Sequence, residues 1–291
     1  SAAPSAARSE EAAIPYAIAV RSDLGLYGAS YDAPLVERAF DQLSSLLGEG
    51  LSTARPAETI SRYQWQQLLE SPGVYCAFQG TPPLAALEGW LGTGAGAPEG
   101  GAEGLLLSYD SSRVWLCWRE GDLYRRSTTA VAYAGHLEEA LGAFSPNGAA
   151  FASTLVREDG VYASLDGDVL VSMAAPSPQN YTLSSPDFVG DSAALERLLE
   201  ALGFRSGANS AYETAGDLAI NENDDRLRLS SQGTVSFHTG GGGRYLISSQ
   251  EETPTLPQCV QAAWELLDRS SAPWRGEGEY VLTGAEPSEG G

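Results

Sequence analysis

The stretch DLAINENDDRLRLSSQGTVSFHTGGGGRYLIS, residues 217–248, decides how this chain folds. Four segments in it alternate apolar and polar residues: DLAIN (217–221), RLRLS (226–230), TVSFH (234–238) and RYLIS (244–248). A period of two places successive side chains on opposite faces of a strand. The intervening ENDD, SQG and TGGGG are turn-forming, so the stretch predicts an antiparallel meander. The tetraglycine Gly240 to Gly243 is read here as a hairpin loop. A phosphate cradle needs a helix directly after it, and Arg244 instead begins another alternating segment.

Working outward, the period switches to 3.6 on both sides. Leu195, Leu198, Leu199 and Leu202 form one helical stripe that Gly203 stops, and they are expected to face Leu227, Leu229, Val235 and Phe237. Thr255 and Gln258 have capping-box spacing ahead of Val260, Ala263, Trp264 and Leu267. Helix, meander, helix therefore describes the second half, and the first half repeats the scheme. There, Asp32 caps a stripe of Val36, Phe40, Leu43 and Leu47 that Gly48 is expected to stop, and Ser61 with Gln64 caps a helix bearing Trp65, Leu68 and Leu69. Thr81-Pro82 opens a short helix through Leu84, Leu87 and Leu91, and a further one carries Leu137, Ala140, Leu141 and Phe144. YAIAV (16–20), VYCAF (74–78), LLLSY (105–109) and RVWLCW (113–118) are strand-like, the last two joined by a DSS turn.

The expected fold is α+β in two domains, each an antiparallel β-meander with helices packed on one face. SPNGAAF (145–151) is the expected seam, because Pro-Asn-Gly breaks any helix. The boundaries are then a flexible linker over 1–14, an N-terminal domain over 15–146, a C-terminal domain over 147–284 and a disordered tail over 285–291. EYVLTGAEPSEGG, at the end, reads as a strand followed by that tail.

Composition removes several function classes. A net charge of −21 disfavours nucleic acid and anionic lipid as partners. All 17 basic residues are Arg, which excludes a Schiff-base lysine or a Walker-type lysine from this sequence. Cys76, Cys117 and Cys259 are far apart, with no CxxC and no adjacent His, so metal or redox use is not expected. No run of about 18 apolar residues exists, as a membrane-spanning helix would need. The single methionine is Met173, and SAAPSAARSEEAA reads as linker, so the chain is expected to begin inside a larger gene product.

The motifs that could carry chemistry reduce to turns and surface. GTGAGA (92–97) matches the GxGxxA of dinucleotide folds but follows a helix and runs into PEGGAEG, which predicts a flexible loop. His136 and His238 lack metal-ligand companions, and no GxSxG occurs. NENDD (221–225) alternates oxygen ligands without the glycine of a calcium loop, and Gln232 stands where its terminal Glu belongs, so a polar hairpin turn is expected. Glu138, Glu139, Asp166 and Asp168 are expected to be solvated. The expectation is no catalytic, cofactor-binding or metal-binding residue. In RVWLCWR, Val114, Leu116 and Trp118 oppose Trp115 and Cys117, which predicts a strand covered on both faces; an outer face meeting a partner is the alternative.

SRYQWQQLLESPGVYCAFQGTPPLAALEGWLG (61–92) and NGAAFAS (147–153) resemble clostridial members of the YycH family. LERLLEALGFRSGANSAYETAGDLAINENDDRLRLSSQGTVSFH (195–238) is similar to the module those proteins share with YycI. The resemblance implies a non-enzymatic regulator outside the cytoplasm, tethered by one N-terminal membrane helix, that tunes the YycG (WalK) sensor histidine kinase. A YycI-like protein is a further partner it implies. The tethering helix is absent from these 291 residues, and one membrane-spanning helix is expected upstream. Relatives continue into further strands where this chain stops. Two rival readings are a glycan-binding module using exposed aromatics such as Trp90 or Trp115, and a hydrolase built on two carboxylates.

Overall fold

The computed structural model describes residues 13–92, 94, 96–110, 113–130, 134–156, 160–172, 186–188, 190–205, 210–214, 216–238, 240, 254–275, 280 and 282–285. They form an α+β fold with antiparallel sheets, divided into two compact units. The first holds residues 1–178 and 281–291, and the second holds residues 179–280. The boundary expected at 146/147 is therefore misplaced, and the terminal segment returns to the first unit.

In the first unit, β1 (Ala17–Ser22) and β2 (Gly25–Ser30) form a hairpin. They are followed by α1 (Ala33–Ser52), β3 (Glu58–Ile60), α2 (Arg62–Leu69), β4 (Gly73–Ala77) and α3 (Leu84–Leu91). Next come β5 (Gly104–Asp110), β6 (Arg113–Glu120), β7 (Leu123–Thr129) and α4 (Ala134–Gly142). The seven strands lie in the order β2-β1-β4-β5-β6-β7-β3, with every pairing antiparallel. The meander is β4 to β7; the hairpin closes one edge and β3 the other. The N-caps Asp32 and Ser61 are those the sequence predicts, but α1 runs through Gly48, its expected stop, and continues to Ser52. Asp32 accepts from the Leu35 amide, Ser61 and Gln64 complete a capping box, and Gly92 ends α3 in the left-handed region at φ 72°.

Both faces of this sheet are covered, which corrects the expectation of helices on one face only. Ile18, Val20, Val74, Cys76, Leu105, Leu107, Leu116 and Trp118 are all buried on the side where Gly50 of α1 lies against Leu107 and Leu116. Helices α3 and α4 pack beside α1. On the other side, Ala17, Ala19, Tyr75, Leu106 and Cys117 join Trp65 and Leu69 of α2 in one apolar cluster with Ala149 and Phe151. The double-sided reading of β6 holds, with Leu116, Cys117 and Trp118 at 0% exposure.

Phe151 explains where the boundary goes. Residues 145–171 make an excursion with β8 (Ala150–Phe151), α5 (Ala152–Leu155), a 3-10 turn (Gly160–Ser164) and β9 (Leu170–Val171). The Asn147 side chain donates to the Gly28 carbonyl at 2.7 Å and accepts from the Gly28 amide at 3.0 Å, as a neighbouring strand would. A side chain on Gly28 would collide with Ala149, 2.6 Å from its Cβ position, so glycine here admits the close approach. The Pro-Asn-Gly breaker is thus a clip on the sheet edge.

The second unit runs α6 (Ser192–Ala201), β10 (Ser210–Thr214), β11 (Asp217–Glu222), β12 (Asp225–Leu229), β13 (Val235–His238) and α7 (Leu256–Arg275). Its four strands lie in sequence order; β11, β12 and β13 are the predicted DLAIN, RLRLS and TVSFH strands, whereas β10 was not expected. Leu198 and Leu202 pack with Ile220, Leu227 and Leu229, and Phe237, Leu195 and Leu199 border them. The ENDD hairpin is a two-residue turn closed by Glu222 opposite Asp225, with Asn223 at φ 54°. The strand expected at 244–248 and most of the tetraglycine loop lie outside the described residues.

Candidate functional site

The register of the first sheet assembles a polar cluster at one end. Ala77 of β4 pairs with Gly104 of β5, which pairs with Arg119 of β6, which pairs with Tyr124 of β7. Small residues in the middle of that row leave room for Tyr75 and for the turn 166–169 that the excursion lays over the sheet. Asp168, in that turn, is 5% exposed. Its Oδ2 accepts from Arg119 Nε at 2.8 Å and from the Tyr75 hydroxyl at 3.1 Å. Arg119 Nη1 also donates to Glu103 at 2.8 Å. Glu103 accepts from the Gly121 amide as well, so the guanidinium bridges two carboxylates that are themselves fixed.

Electrostatics follow from burial. Desolvation, then the Asp168 charge, holds the Tyr75 phenol well above its usual range, so it remains a donor to Asp168. Burial alone would lower the Arg119 pKa, but Asp168, Tyr75 and Glu103 more than offset it and leave it raised. The expectation that Asp168 is solvated is thereby corrected: a buried carboxylate needs paired donors, and Arg119 and Tyr75 supply them. Asp166 does sit at the surface, at 63% side-chain exposure and 3.6 Å from Arg62. Glu138 and Glu139 are exposed as expected, and so is His238. The His136 side chain lies outside the described residues.

Two other acidic groups are buried and serve the backbone. Glu88, 3% exposed, accepts from the amides of Gly96 at 2.7 Å and Ala97 at 2.9 Å. Gly96 and Ala97 of the glycine-rich stretch thus already hold an anion, the chain's own carboxylate. Glu222 accepts from the Arg205 amide at 3.0 Å. Burial pushes the Cys76 and Cys117 thiols far up, which keeps them protonated and unreactive. Among the described residues, no three His, Cys, Asp or Glu side chains are grouped to hold a metal ion.

The aromatics named for a glycan reading are not open. Trp90 is 3% exposed in the core, and Trp115 is half-buried with the Arg126 guanidinium 4.5 Å from its ring centre. A different pair is open. Tyr31 stacks on Tyr16 with ring centres 4.9 Å apart and planes 24° from parallel. Tyr31 remains 66% exposed and has a φ of 55°. The excursion also presents aliphatic side chains to water: Val156 at 39%, Val161 at 75%, Leu165 at 41% and Val169 at 37%.

Compared with known proteins, the chain matches no family model, no curated protein and no solved structure. The likeness to YycH therefore rests on the residues quoted for it. No helix among the described residues is long and apolar enough to cross a membrane. The Asp168 cluster and the Tyr16–Tyr31 stack escaped sequence reading because their members come from segments up to 93 residues apart. The one local signal was Tyr31 immediately before the cap residue Asp32.

Proposed function

We propose that the chain is a non-enzymatic regulatory module of the YycH type, held outside the cytoplasm by a membrane anchor. It tunes a YycG/WalK-type sensor histidine kinase through protein contact, with a YycI-like protein as a second partner. The observation that carries this reading is the aliphatic set on the excursion: Val156, Val161, Leu165 and Val169. Exposed aliphatics concentrated in one short segment favour a protein partner, since each Å² removed from water contributes about 25 cal/mol. The segment is also firmly based. Asp168 and Asn147 fasten it to the sheet, so little order is lost on docking.

The buried carboxylates support the non-enzymatic part. Asp168, Glu88 and Glu222 each accept hydrogen bonds from groups of the chain itself. The charge of −21 repels anionic lipid, so a covalent anchor rather than surface adsorption suits a partner in the membrane. A photo-crosslinking side chain at Leu165 of the anchored full-length protein tests the contact. It is expected to trap the kinase's outer domain in cells, while the same group at Leu24, 73% exposed between β1 and β2, traps far less. Equal yields from the two positions, or no kinase adduct, would overturn the reading.

A further inference from the structure

We infer that Tyr31, backed by Tyr16, is a stacking platform for a pyranose ring of a neutral glycan, a binding site separate from the aliphatic surface on the excursion. Three observations converge on it. Tyr31 is the more exposed ring of a stacked pair, at 66%. Its φ of 55° lies in the left-handed region that a bulky side chain avoids. Such strain persists where the surroundings fix it, and it gathers at ligand sites. Here the Tyr31 amide donates to the Tyr16 carbonyl at 2.9 Å, while the next residue, Asp32, caps α1 by accepting from Leu35. The backbone is pinned from both sides.

The side chain is pinned as well. Tyr16 is half-buried and lies against the Tyr31 ring in the stack, and its phenol is raised first by burial. A ring that is immobilised before binding gives up little rotamer freedom on binding. The outer face of the stack is flat and electron-rich. The axial C–H bonds of a hexopyranose are its geometric and electrostatic complement, and the paired phenol oxygens at the rim meet sugar hydroxyls.

The chemistry around the stack selects a neutral sugar. The Arg119 guanidinium is already shared between Asp168 and Glu103, so it does not serve an acidic sugar. With a net charge of −21, the chain repels a polyanion. A single aromatic plane with a polar rim also differs from the aliphatic residues over 156–169, which suit a protein.

The test is a titration of the intact chain with chitotetraose and cellotetraose, read by calorimetry and by tyrosine ring shifts in NMR spectra, with heparin as the polyanion. Saturable binding of a neutral tetrasaccharide is expected, with shifts at Tyr31 and none with heparin. Tyr31→Ala is expected to weaken it by about tenfold, the equivalent of one aromatic stacking contact, while Tyr31→Phe keeps most of it. Thermal melting shows that both variants are folded, as expected for a side chain this exposed. Absence of saturable binding to either tetrasaccharide overturns the inference. So does equal binding by Tyr31→Ala, or a Tyr31→Ala defect confined to capture of the kinase's outer domain.

Discussion

Asp168 and Asp166 are two residues apart on one turn, yet their environments assign them opposite roles. The Asp168 side chain is 4% exposed and bonded to Arg119 at 2.8 Å, whereas Asp166 is 63% exposed and 3.6 Å from Arg62. Removing one member of a buried pair strands the other, which costs about 3 kcal/mol or more, while an exposed pair contributes about 0–1 kcal/mol. Asp168→Ala is therefore expected to lower the unfolding free energy of the first unit by about 3 kcal/mol, and Asp166→Ala by less than about 1 kcal/mol. Urea denaturation followed by tryptophan fluorescence checks both; equal losses would show that Asp168 anchors nothing. The spacing D-x-D could not separate them. Which aspartate is buried depends on Tyr75 and Arg119, set by strand register far away in sequence. Tyr31 was hidden in the same way, since nothing local says that Tyr16 lies beneath it.

At the scale of elements, reading was most successful where periodicity and caps agreed. Asp32 and Ser61 with Gln64 begin helices where expected, and the α6 stripe meets Leu227 and Leu229 of β12 as predicted. Val235 is the exception: it was expected to face Leu198 but is 42% exposed. Its strand lies at the edge of the described sheet, where alternation alone does not guarantee cover. Leu198→Ala is accordingly expected to cost about 2–5 kcal/mol, as for a buried leucine, and Val235→Ala to stay within about 0.5 kcal/mol. Hydrogen exchange across β11 and β12 reports the difference; similar protection losses in both variants would contradict the packing described. The excursion over 145–171 could not be read, because Pro-Asn-Gly signals a break in either case. Whether a break is a linker or a clip depends on what the asparagine amide meets, here Gly28 on the edge strand.

For the whole molecule, charge and attachment matter more than any one contact. A chain with 38 acidic and 17 basic residues has no general affinity for anionic lipid, so on the proposed reading its exposed aliphatic side chains would meet a membrane partner rarely from free solution. The anchor we propose would change this by holding those side chains at roughly millimolar effective concentration without adding a contact. The two-unit α+β architecture could be anticipated from the repeated helix-meander pattern, but the exposure of Val156, Val161, Leu165 and Val169 could not, since Val161, Leu165 and Val169 share the i, i+4 spacing of a buried helical stripe. The most direct measurement is the autophosphorylation rate of the YycG/WalK-type kinase reconstituted in vesicles with the anchored full-length protein. The wild-type protein is expected to shift that rate, Val161→Asp/Leu165→Asp to leave it at the level of kinase alone, and the soluble 291-residue chain at equal bulk concentration to act weakly. An unchanged rate with the anchored protein, or full regulation by the doubly charged variant, would contradict the account.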